Sequence, residues 1–209
     1  MPICWCVARA RTFTGYRLNL IIARLWRSLM KKMPLQCARM VSVAREYCAL
    51  IDSERDAGWV QRLAKLLPRL HVAVTALSAP SNEGRAPLVY DDEKRCEMFL
   101  CLNADLQADR ELYAAYVAIS VAPYLWPQLC ERMADNLADM YFDLQYGLDL
   151  LWDSPQRASE NWQYSFYSHW GKHLLDAECW LRAVESGSEP ALLPEWWWPD
   201  ASRLAANPA

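Results

Sequence analysis

From Leu35 onward, apolar residues recur at the three- and four-residue steps of amphipathic helices. A first helix is predicted over about Leu35–Ile51, punctuated by Asp52 or Ser53, and a second over about Glu54–Leu77, with Pro68 inside it and expected to kink it. The stretch Ser78–Asp92, rich in Pro, Ser, Asn and Gly, reads as the one long loop. Asp92 is then expected to cap a short helix, about Glu93–Leu102, and another spans about Ala108–Val121 before the Pro123 to Pro127 break. Two long helices follow, about Gln128–Trp152 and Pro155–Glu185. Ser154 is placed to cap the second, Pro155 to start it and Gly187 to stop it. Connections this short make the neighbours antiparallel, so the expected fold is all-α: an antiparallel bundle of five or six helices.

The stripe Leu129, Met133, Leu137, Met140, Leu144, Leu148 and Leu151 keeps to one face of the penultimate helix. Phe142 and Tyr146 lie off that face, which places this helix centrally. Gly147 and Gly171 fall inside helices, where each costs about 1 kcal/mol relative to alanine. Close approach of a neighbouring helix is the expected compensation.

Composition adds boundaries. No acidic residue precedes Glu46, while the first 45 residues carry nine Arg and Lys; the remainder has 13 basic against 25 acidic residues. Residues 1–33 therefore read as a basic extension, residues 34–188 as the helical domain, and residues 189–209 as a Trp/Pro-rich tail. Tyr16–Lys32 can form a basic amphipathic helix. Three readings of the extension stand side by side: attachment to an anionic membrane surface, a targeting presequence, or an upstream start with Met33 as the true one. No stretch approaches the ~20 apolar residues of a membrane span. An acidic body argues against nucleic acid as a partner. The eight cysteines sit singly in helical patterns without zinc-ribbon spacing, which predicts buried thiols and a cytoplasmic, reducing compartment.

Two runs resemble a known family. Asn136-Leu-Ala-Asp139-Met-Tyr-Phe-Asp143-Leu-Gln-Tyr-Gly147-Leu148 is similar to a D-L-A-D-I-Y-x-D-L-x-x-G-L signature. Trp162-Gln-Tyr-Ser-Phe166-Tyr-Ser-His169-Trp-Gly171-Lys-His173 is similar to W-x-F-S-F-x-x-H-W-G-x-H. Both belong to a family of bacterial all-helical proteins, a domain of unknown function, and the resemblance covers about Leu35 to Val184. The chain departs from the pattern with Asn136 in place of Asp and Tyr164 in place of Phe. The resemblance implies the helical fold and a bacterial origin, and no activity.

The chemistry-bearing residues gather on the last two helices. At about 100° per residue, Phe166, His169, His173, Asp176, Trp180 and Val184 all fall within about 40° of Trp162. His169 and His173 are one turn apart, the spacing with which two imidazoles bind one metal on a helix. Asp139 and Asp143 lie about as far before Pro155 as the two histidines lie after it, so antiparallel packing brings them to similar depth. His169, His173, Asp176, Asp143 and Asp139 are therefore the candidate ligands of a divalent metal, in a helical bundle that could serve a metal-dependent hydrolase. The competing reading is a structural His–Asp hydrogen-bond network, with Asp135 and Asp139 facing water. His71 has no partner visible in the sequence and reads as structural. There is no nucleophile elbow, phosphate loop or dinucleotide fingerprint. Trp196, Trp197 and Trp198 either fold back over the helices or anchor a protein partner or a second copy. On this balance the leading expectation is a non-catalytic interaction or regulatory domain, with the metal-binding bundle as the alternative.

Overall fold

The computed structural model describes residues 33–77, 91–120 and 122–187. The amphipathic helix of the basic extension, most of the long loop and the tryptophan tail lie outside the described residues. Among those described there is no strand, and the helices are α1 (Leu35–Ile51), α2 (Trp59–Thr75), α3 (Asp92–Ala108), α4 (Arg110–Ile119), α5 (Trp126–Leu150), α6 (Pro155–Ser165) and α7 (Gly171–Ser186). Because α6 and α7 are joined end to end by a π turn, Phe166–Trp170, they make a single rod, and the all-α expectation of five or six helices holds.

Helix α5 is the central element: α1, α3, α6 and α7 all pack against it, and α2 closes the far side on α1 and α7. Its buried stripe is the one the periodicity predicts, with Leu137, Met140 and Leu144 fully enclosed. Tyr47 ties α1 to it by donating its hydroxyl to the Leu137 carbonyl at 2.9 Å. At the other end Trp126 packs its ring near Tyr113, Tyr116 and Trp180. Helix α2 begins at Trp59, later than the pattern suggests, because Trp59 turns inward and donates to the Leu50 carbonyl at 2.9 Å. It runs on through Pro68, which lies on the exposed face.

The helix boundaries follow from caps. Ser154 accepts from the Arg157 amide with Pro155 at the first position, as expected, and Gly187 ends α7 in the left-handed conformation at φ 64°. Asp91, rather than Asp92, caps α3, and Asp92 joins Glu93 in its first turn, where acidic groups meet the positive end of the helix dipole. Helix α3 is also longer than its pattern suggests. Only Leu102 and Leu106 are buried, so apolar periodicity hardly marks it. Asp109 breaks the chain there by capping α4.

Candidate metal centre

Asp135, Asn136, Asp139 and Asp143 lie along one side of α5, and His169, His173 and Asp176 descend the rod opposite in the order that antiparallel packing dictates. The Asp143 carboxylate is fully buried and takes a hydrogen bond from His169 Nδ1 at 2.7 Å. One turn on, His173 Nδ1 meets Asn136 Oδ1 at 2.8 Å, while Asn136 Nδ2 donates to Asp176 Oδ2 at 2.7 Å. A carboxylate only accepts, so the Asn136 amide nitrogen must face Asp176 and its oxygen must face the ring. His173 therefore carries its proton on Nδ1. By the same reasoning, so does His169 on the nitrogen facing Asp143.

Both Nε2 atoms then turn towards one oxygen: Asp139 Oδ2 lies 3.2 Å from His173 Nε2 and 3.9 Å from His169 Nε2. The other oxygen of Asp139 is held by Arg95 of α3, whose second arm reaches Asp135 Oδ1 at 2.6 Å. Helix α3 thus covers the acidic ridge, and Asp139 is buried instead of facing water, as one reading of the sequence had it. Asp176 is gripped by both arms of Arg132, with Nε at 2.6 Å from Oδ2. Ligand atoms from Asp139, His169 and His173 lie within 4.8 Å of one another, close enough to be candidate ligands of a single ion. Of the five candidate ligands these three converge. Asp143 stands one bond behind His169, and Asp176 stands behind Asn136 and His173.

The electrostatics differ sharply between the two rings. The hydrogen bond to Asp143 raises the pKa of His169 above its ordinary value, against the opposing effect of burial. Burial dominates at His173 and pulls it down to about 4, although the Asp139 charge works the other way. Burial, followed by the neighbouring Asp139 charge, pushes Asp135 up, although Arg95 bonds to it. His169 keeps about 30 % of its side chain exposed, so the cluster opens to solvent on that side.

Asn136, Arg95 and Arg132 are absent from the sequence-based site. Asn136 was visible as a departure from the family pattern, and an aspartate there would set a second carboxylate against Asp176. Arg95 gave no signal, because α3 carries so little apolar periodicity. His71 meets a partner that the sequence does not show: its Nδ1 lies 3.2 Å from Glu178 Oε2, 107 residues away.

The model of the family described as "Domain of unknown function (DUF5063)" matches residues 32–186. No curated protein and no solved structure matches the chain significantly.

Proposed function

This chain belongs to the DUF5063 family, and within that family we propose that it is a metal-binding helical domain whose ligands are Asp139, His169 and His173. One observation carries the reading: both imidazoles turn their Nε2 lone pairs towards the same carboxylate oxygen. A cation placed among the two imidazole nitrogens and the anionic oxygen would be attracted by all three. Tetrahedral bonds of about 2.0–2.1 Å put ligand atoms roughly 3.3 Å apart, a spacing that the Asp139–His173 pair meets at 3.2 Å and the Asp139–His169 pair approaches at 3.9 Å. Each ligand is also braced from behind, His169 by Asp143, His173 by Asn136 and Asp139 by Arg95, as metal ligands characteristically are. A divalent ion held by Asp139, His169 and His173 would supply Lewis-acid activation of water, the chemistry of metal-assisted hydrolysis.

The test is elemental analysis of full-length protein purified without chelator or a polyhistidine tag, followed by titration of the apoprotein with Zn(II) and Co(II). One ion per chain is expected in the wild type. His173→Ala and Asp139→Asn should each lose at least about 100-fold in affinity, more than the 10–100-fold typical of a group that only supports a ligand. A wild type that takes up no metal under either regime sinks the proposal. Acidification should also weaken binding, because an ion must displace any proton on Nε2. The raised pKa of His169 makes that competition begin at a higher pH than for a free imidazole. Affinity followed from pH 8 to pH 6 should therefore fall, by up to about tenfold per pH unit for each proton displaced.

The interaction-domain reading is favoured by a separate surface. Tyr113 and Val117 lie one turn apart on α4 and, with Tyr124, leave apolar surface exposed near Trp126. The free thiols Cys37, Cys48, Cys96, Cys130 and Cys179 suit a reducing compartment such as the bacterial cytoplasm. No helix among the described residues is long and apolar enough to cross a membrane.

A further inference from the structure

The rod that carries both histidines changes its winding between Phe166 and Trp170, where it makes a π turn. An unbroken α-helix would return the buried face of Ala158 and Trp162 at residues 169, 173 and 176, because its repeat is 3.6 residues. The fully enclosed positions are instead Trp170, Leu174 and Ala177, each one residue later. The apolar pattern thus slips by one residue within a single rod. The wider turn absorbs the slip, so that Trp162 and Trp170 are both buried. His169, His173 and Asp176 consequently fall on the flank that faces α5. Wound as a plain α-helix, the same sequence would centre His169 on the apolar core and carry Trp170 towards its edge, about 80° from Trp162.

The π turn has a local requirement. The Gly171 amide donates to the Phe166 carbonyl five residues back, and a Cβ on residue 171 would lie 2.4 Å from that oxygen. Backbone oxygen cannot yield as a flexible side chain can. The expectation that a neighbouring helix explains this glycine is therefore corrected, since the close contact comes from its own turn. We infer that Gly171 is a positioning residue for the metal centre: by permitting the π turn, it sets the phase at which His169 and His173 meet Asp139 and Asp143. Inserted π turns of this kind recur at functional sites. The inference rests on the proposed metal centre, yet its physical core, the phase of the rod, can be read without metal.

Two variants decide it. Gly171→Ala should bind Zn(II) about 10–100-fold more weakly than wild type, the range for losing a group that orients a ligand. Its midpoint of denaturation should also fall. Deleting Ser168, an exposed residue of the π turn, removes the extra residue and lets the rod wind as α throughout with both buried faces in phase. In that background Gly171→Ala should be harmless, restoring affinity and midpoint together. Wild-type affinity in Gly171→Ala overturns the inference, as does a double variant no better than the single one, including the case in which neither folds. Should wild type bind no metal, the metal reading fails. The phase is then judged from the His169 Nδ1 proton in NMR spectra: its Asp143 hydrogen bond should vanish in Gly171→Ala and return in the double variant, and persistence in the single variant overturns the inference.

Discussion

Gly147→Ala should destabilise the fold by about 3–5 kcal/mol, although alanine is the better helix former by about 1 kcal/mol. The reversal of sign comes from Trp162. Its indole crosses α5 directly over Gly147, so that a Cβ there would lie 2.0 Å from Nε1, and it donates that Nε1–H to the Leu144 carbonyl at 3.1 Å. A methyl group cannot enter without pushing the ring away, and the ring is fully buried. Displacing it combines overpacking strain with a buried indole N–H left unsatisfied. Against a typical total stability of about 5–15 kcal/mol, the loss is large. It corresponds to a fall of roughly 10 °C in Tm for a chain of this size. Urea denaturation followed by tryptophan fluorescence measures it. A neutral or stabilising result would mean that α5 and α6 cross less closely than this structure has them.

Much of this architecture could be read from the chain, and the failures have physical causes. Helix α1 follows its pattern because its apolar residues are buried against both α2 and α5, and the Ser154–Pro155 start and Gly187 stop are local chemistry that the sequence states outright. Helix α3 extends past its expected end because only Leu102 and Leu106 are buried, with Arg95 adding ion pairs to α5, so little of it leaves a period in hydropathy. The pairing of Asp139 and Asp143 with His169 and His173 was legible from equal distances to the Pro155 turn. The division of labour among them was not. A wheel turning at a uniform 100° per residue places both histidines and Asp176 in the aromatic face, and only the π turn separates the core residues from the flank that meets α5. Partners such as Glu178 for His71, or Arg132 for Asp176, are set by tertiary packing across 107 and 44 residues and have no local signature.

Asn136→Leu should cost about 3 kcal/mol in the metal-free protein and, on the proposed reading, weaken metal binding by about 10–100-fold. Asn136 is buried and makes two contacts at once, accepting from His173 Nδ1 and donating to Asp176. Leucine fills a similar volume but leaves the imidazole N–H without an acceptor and takes one donor from a buried carboxylate. Arg132 still holds Asp176, so the larger share of the cost falls on His173. The ring could then flip its tautomer, placing the proton on Nε2 where it would donate to Asp139. That exchange satisfies the apoprotein in part while closing the lone pair a metal needs. Asn136→Asp separates the two effects. Its carboxylate can still accept from Nδ1–H and fix the tautomer, but it stands against Asp176, so stability should drop while metal affinity stays near that of the wild type. Equal losses of affinity in both variants would show that position 136 acts through general stability and not through the orientation of His173.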